Sequence, residues 1–381
     1  MKLFPTALTA YLAVALLFIA KYGLRVAGWP VVGAMGITYV VLVMVLLRWL
    51  LPWLLRCGKR WLLLSALCAA VVVLMVGQSM IDPYSLQVDR WSAIHNHLDY
   101  LLQGRYPYSA QTHLGGYGSP FPVWQLFHLP FFLLGNVGWS FVAGMGLFAW
   151  AVSLVGGWKK MVAVLLLLLI HPAFAYEVAV RSDLLTNFLV SAAVVLLFWH
   201  YRTTPQRQWW LVAVAGGLMM STRLTAAVPL AVFFMVPFLK SGWRRTAAVV
   251  ITALLVFALT FLPLFLWDGE SLLFFEYNPF VLQTRQSHPA DLLLIVVFGI
   301  LAAWWWRGGA EHCEPTDKHV SRYAMATAAC LLLLVVITFT HNMWLTDSWD
   351  GLFSSQYDIT YFNMSLPFLL LVLCDGRKES L

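Results

Sequence analysis

Residues 81–135 read IDPYSLQVDRWSAIHNHLDYLLQGRYPYSAQTHLGGYGSPFPVWQLFHLPFFLLG. This is the longest interval that cannot cross a bilayer as a simple apolar helix. It carries three carboxylates (Asp82, Asp89 and Asp99), four histidines and two arginines. Apolar runs flank it on both sides, so its reading fixes which way the rest of the chain faces and where chemistry can occur.

From Asp89 onward, a step of about 100° per residue puts Trp91, Ile94, Leu98, Leu101 and Leu102 on one side of a helix. Asp89, Ser92, Asn96, Asp99 and Gln103 fall on the other, and Gly104 ends it. Such a helix lies in the membrane interface with its apolar stripe down and its polar stripe toward water or a cavity. Asp89 sits where the helix dipole favours a negative charge. Two readings of it stand: a capping residue, or a carboxylate available for chemistry. Asp89 and Asp99 are ten residues apart, about 15 Å along a helix, so they do not form a catalytic pair. Beyond a Gly-rich turn, prolines 120, 122 and 130 and the shortness of SPFPVWQLFHLPFFLLG point to a second interfacial or re-entrant segment rather than a full span.

Working outward, the chain of 381 residues is 61% hydrophobic and 11% charged. A soluble domain carries about a quarter charged residues, so the composition specifies an all-α polytopic membrane protein. With about 20 apolar residues needed per span, spans are expected near 4–22, 29–52, 61–80, 138–157, 161–177, 184–201, 208–222, 224–240, 246–267, 291–306, 322–341 and 359–374, about twelve in all. The N-terminal run has no small-residue cleavage site and another span close behind it, which reads as an uncleaved first helix. Placing Arg56/Lys59/Arg60, Lys159/Lys160, Arg202/Arg207, Lys240/Arg244/Arg245 and Arg307/Lys318 in the cytoplasm puts both termini there too, and seventeen of the 24 basic residues. The net charge of +7 is then a cytoplasmic rim and not a nucleic-acid surface. Lys21 and Arg25 run against the rule. No cysteine falls in an external loop, so no disulfide framework is expected, and none has zinc-ligand spacing.

An aspartate just outside a membrane helix, an aromatic amphipathic helix ending in Leu-X-X-Gly-X-X-Pro-Tyr (Leu101 to Tyr108), and a proline-rich re-entry resemble the first external loop of GT-C-fold membrane glycosyltransferases. These enzymes take a sugar from a polyprenyl-phosphate carrier. His171-Pro172 followed by Arg181-Ser182-Asp183 is similar to the Pro and Arg-Pro-Asp pattern opening a later external loop of that family, and Arg223 in SerThrArgLeuThr to a recurrent basic position. YDITYFNMSLPFLLL (357–371) resembles the family's late Arg-Tyr-X-X-Pro helix, with Thr360 where arginine is usual. The resemblance covers roughly residues 61–240 and the last helix. It implies a catalytic core over 61–240, including the external loop 81–137, two accessory N-terminal helices (1–60), and C-terminal helices (241–381) with external loops 268–290 and 342–358.

The chemistry implied is a single displacement in which Asp89 is the general base, with Asp82 as second candidate. Arg181, Arg223 and Arg285 are candidates for the donor phosphate, since guanidinium forks suit a phosphate leaving group. For Arg181 an ion pair with Asp183 or Glu177 is an equal reading, and for Arg223 a helix cap or snorkelling. Asp99, Asp183, Tyr108 and Trp91 are candidates for sugar or acceptor contacts. Trp91, Tyr106, Tyr108, Tyr117, Trp124, Trp344 and Trp349 also fit an interfacial aromatic belt. No cofactor is firmly implied, and a divalent metal is the lesser alternative. His95, His97 and His113 are metal-ligand types, but His95 and His97 point about 200° apart on a helix. The expected partners are a polyprenyl-phosphate sugar, a glycan, lipid or protein acceptor, and membrane lipids. The expected location is a bacterial inner membrane with the site on the periplasmic face. The alternatives are a secondary transporter and a lipid-linked saccharide flippase or polymerase.

Overall fold

The computed structural model describes residues 3–201, 205–240, 242–285, 287–288, 290–291, 317–353 and 357–375. The expected span at 291–306 beyond its first residue, and the hydrophilic stretch 308–316 with Cys313, lie outside the described residues. The described chain is helical, with one isolated antiparallel bridge between Gln111 and Tyr117. In order the helices are α1 Leu3–Gly23, α2 Trp29–Val45, α3 Leu51–Cys57, α4 Arg60–Ser79, α5 Arg90–Leu102, α6 Pro122–Leu133, α7 Ser140–Leu169, α8 Pro172–Ala179, α9 Leu184–His200, α10 Pro205–Met220, α11 Val228–Lys240, α12 Trp243–Leu273, α13 Pro279–Thr284, α14 Asp317–Thr346 and α15 Leu366–Asp375. A π-helical turn, Leu46–Leu50, makes α2 and α3 one continuous rod.

Six of these helices are long and apolar enough to cross a membrane, or up to seven if the bent pair α8 and α9 counts as one span. A membrane-embedded chain follows from this; the expected twelve spans do not. The difference has local causes. The apolar helices at Gln208–Met220, Leu224–Phe234 and Ile359–Asp375 are shorter than a span requires. The two spans expected at 138–157 and 161–177 lie in one helical run, broken at Gly157, whose φ of 78° only glycine adopts without strain. The expected 161–177 helix stops at Leu169 and restarts at Pro172, where a missing N–H costs nothing at a helix start. α8 and α9 then meet at 117°.

α9 is the central post, with Leu184, Leu185, Phe188, Leu189, Ala192, Ala193, Val195 and Leu196 all at most 1% exposed. Lipid is as apolar as leucine, so burial alone does not hold helices together in a bilayer; close packing does. At the α7–α9 crossing a Cβ on Gly144 would stand 2.7 Å from the Thr186 methyl. At the α10–α12 crossing a Cβ on Gly217 would stand 2.5 Å from the Ala253 carbonyl.

The two ends of the bundle differ chemically. Lys160 and Ser321 both bond Asp375, at the foot of the element Ile359–Asp375. Asp358, just before its other end, pairs with Arg90. Seven residues of tight helix and ten of α-helix separate these ends, roughly 29 Å at their standard rises.

Candidate functional site

α5 runs from Arg90 to Leu102, and Gly104 turns the chain away with φ 70°. Its buried face is Trp91, Ser92, Ala93, Ile94, His97 and Leu98. The apolar stripe is as expected except at its end, where Leu102 is 56% exposed. Ser92, expected on the wet face, is fully buried because its hydroxyl serves the hairpin 111–117. α6 has 12 residues, about 18 Å of helix, too short for a hydrocarbon core of about 30 Å.

Asp89 occupies the N-cap position of α5, yet its side chain makes no capping bond. Its Oδ2 instead accepts a hydrogen bond from the Thr112 hydroxyl at 3.0 Å. The carboxylate is half-buried. Asp82, the second candidate, is exposed and caps the short turn Pro83–Ser85 by accepting from the Tyr84 N–H at 3.1 Å.

One residue further on, Arg90 links α5 to a buried charged cluster. Its Nη2 donates to Asp358 Oδ2 at 2.6 Å, its Nη1 stands 4.0 Å from Asp183 Oδ1, and its guanidinium lies over the Tyr361 ring at 5.2 Å. Asp183 Oδ2 receives two donors, Trp124 Nε1 at 2.6 Å and Arg223 Nη2 at 2.8 Å. With the Asp183 side chain 1% exposed and that of Arg223 8%, this is a buried ion pair, whose cost of burial is met by two charge-assisted bonds. Asp358 Oδ1 accepts from both the backbone N–H and the hydroxyl of Thr360. Burial would raise the Asp358 carboxyl; Arg90 and Thr360 outweigh it and hold the group below the usual carboxylate range. Beside them Glu177 accepts from Asn363 Nδ2 at 2.7 Å and from the Leu185 N–H at 3.1 Å. Lys21, also buried, donates to the Tyr357 carbonyl at 2.5 Å. α1 thus reaches the same end of the bundle, and its breach of the charge rule has a local bonding partner.

Among the residues singled out from the sequence, Asp183 and Arg223 come together. Arg181 pairs with neither Asp183 nor Glu177. It adopts a left-handed φ of 55°, and its Nη2 donates to the carbonyls of Gln78 (3.2 Å) and Ile81 (3.0 Å), closing the end of α4. Arg285 is exposed after α13. Asp99 accepts from Gln103 one turn along α5 and takes no part in the cluster's bonds. Trp91 and Tyr108, expected to meet a sugar, are 3% and 1% exposed. Trp91 packs against Tyr84, His95 and His113, and the Tyr108 hydroxyl donates to the Pro120 carbonyl. Both are interior packing residues: Trp91 lies against His113 of the hairpin, and Tyr108, in the turn Pro107–Ser109, packs on His97.

Sequence reasoning missed Arg90, Asp358 and the Glu177–Asn363 pair as site members. Arg90 directly follows the chosen aspartate, and an arginine at membrane depth demands a partner; that signal was present, but its partner is 268 residues away. Among the described residues no three His, Cys, Asp or Glu side chains gather so as to hold a metal ion. His95 packs on Phe132 and His97 on Tyr108, while His113 Nε2–H donates to the Leu86 carbonyl at 2.9 Å. An apolar groove of about 270 Å³ runs between α12 and α13, lined by Phe257, Phe261, Phe265, Leu272 and Phe280. Its Phe261 and Phe280 pack on Phe121, which opens α6. Compared with protein-family models, curated proteins and solved structures, the chain finds no match in any of the three.

Proposed function

We propose that this chain is a GT-C-type glycosyltransferase, hexosyl- or mannosyltransferase-like, that moves a sugar from a polyprenyl-phosphate carrier to an acceptor hydroxyl at the external face of a bacterial inner membrane. The observation that carries the reading is Asp89. It is a half-buried carboxylate not spent on capping its helix, and its neighbour Arg90 is bonded into a cluster of arginines and carboxylates at the end of the bundle opposite Lys160 and Asp375.

In the proposed step Asp89 takes the proton of the acceptor hydroxyl as that oxygen bonds to the anomeric carbon. The bond from carbon to phosphate oxygen breaks, and its electron pair leaves on the carrier phosphate. Arg285, exposed after α13, and Arg181, at the end of α4, are assigned to that phosphate. Arg223 supports the site through Asp183, whose carboxylate it already holds. The groove beside Phe121 offers a place for the carrier's hydrocarbon chain.

The buried Arg223–Asp183 pair also fits a secondary transporter, in which intramembrane charges line a path. Purified chain in lipid nanodiscs, given polyprenyl phosphates bearing different hexoses and a mixed glycan and lipid acceptor pool, separates the two. A transferase liberates polyprenyl phosphate in proportion to sugar transferred. Movement of intact sugar-lipid between leaflets of vesicles, with no carrier liberated, would replace this reading with transport.

A further inference from the structure

Thr112 Oγ1 accepts the Gly116 N–H at 3.1 Å and donates to Asp89 Oδ2 at 3.0 Å. A hydroxyl has one hydrogen, and the glycine N–H occupies its acceptor side, so the hydrogen is aimed at the carboxylate before any ligand arrives. The hairpin bearing Thr112 is clamped to the first turn of α5 by the next residue. His113 donates its backbone N–H to Ser92 Oγ at 3.2 Å, its Nδ1 lies 2.7 Å from the same oxygen, and its Nε2–H donates to the Leu86 carbonyl. Gly116 leaves just enough room: a Cβ there would stand 3.3 Å from Asp89 Oδ2. The hairpin therefore closes off Oδ2, while Oδ1 has no hydrogen-bond partner among the described residues.

We infer that Thr112 is a positioning residue that gives the two oxygens of Asp89 different tasks: Oδ2 is held by the hairpin, and Oδ1 is left to take the proton of the acceptor hydroxyl. This rests on the reading of Asp89 as general base. The proton lost by the acceptor becomes the hydrogen on Oδ1, and Thr112 keeps donating to Oδ2 throughout, so the carboxylate need not rotate between turnovers.

The test uses the full chain in nanodiscs, labelled with a water-soluble carbodiimide and an amine, with adduct formation at each carboxylate followed by peptide mass spectrometry. Losing a hydrogen bond to a charged group frees Oδ2, so Thr112→Val labels Asp89 roughly tenfold faster, with Asp99 unchanged as the folding control and Thr112→Ser returning to the wild-type rate. Thr112→Ala, which adds no bulk, substitutes should the valine disturb Asp99. With an active sugar donor Thr112→Val and Thr112→Ala lower kcat roughly tenfold at constant KM, and Thr112→Ser restores it. Equal labelling of Asp89 in wild type and in the variant lacking the hydroxyl overturns the inference, as does failure of serine to restore it. If labelling follows the expectation but Asp89→Asn still transfers sugar, the hairpin assignment stands and the base assignment falls.

Discussion

The Asp183–Arg223 pair is the most informative place to perturb the fold. One carboxylate oxygen takes both Trp124 Nε1 at 2.6 Å and Arg223 Nη2 at 2.8 Å, in a setting where the aspartate side chain is 1% exposed. Asp183→Asn keeps an oxygen for the indole N–H but leaves the guanidinium without its counter-charge. Removing one partner of a buried pair costs about 3–5 kcal/mol. Arg223→Met leaves the carboxylate 4.0 Å from Arg90 as its nearest cation and costs a similar amount. In Asp183→Asn/Arg223→Met neither charge is orphaned, and an apolar-for-ionic exchange is often close to neutral. The double variant should therefore be no less stable than either single one, giving a coupling of about 3 kcal/mol or more. The assay is reversible unfolding of the purified chain in mixed micelles with increasing SDS, followed by tryptophan fluorescence. Additive losses, with coupling under about 0.5 kcal/mol, would mean that the two groups do not share a buried bond and that the site end is built differently.

Burial pushes the His97 ring down to about 3, so the folded chain holds it neutral while an unfolded histidine titrates near 6.5. Between these values the unfolded state binds the extra proton, so stability falls as pH falls, by about 2 kcal/mol from pH 7 to pH 5; His97→Phe should flatten that slope in thermal unfolding at the two pH values. At the α7–α9 crossing, Gly144→Val forces a side chain into the Thr186 methyl and should cost about 1–3 kcal/mol in the same SDS titration. Gly146→Ala, with nothing within 4 Å of the added carbon, serves as its neutral control.

What could be read without coordinates was local. The α5 helix, its stop at Gly104, the shortness of α6 and the break near Gly157 all follow from spacing and from residues with few backbone options. The partners of the charged residues did not follow, because they are chosen by packing of distant segments: Trp124 with Asp183 at a separation of 59 residues, Glu177 with Asn363 at 186, and Arg90 with Asp358 at 268. Periodicity also misassigned Ser92, while Trp91 and Tyr108 were singled out for sugar contact by residue type and lie in the interior. A helix wheel knows the two faces of α5 but not the hairpin folded over it, which buries a serine for its hydroxyl. Among the described residues six or seven helices are long and apolar enough to span, and the shorter apolar helices account for part of the difference from twelve. A helix sheltered by neighbours, such as Gln208–Met220, can be shorter than one that meets lipid alone.

The central claim is that Asp89 accepts a proton during sugar transfer. Its most direct measurement is release of polyprenyl phosphate from a panel of polyprenyl-phosphate hexoses by wild type, Asp89→Asn and Asp82→Asn, with donor binding measured in parallel. The expected result is release by wild type and Asp82→Asn, and loss of at least about a hundredfold in Asp89→Asn with donor binding retained. Undiminished release by Asp89→Asn, or no release by wild type from any donor it binds, would contradict it.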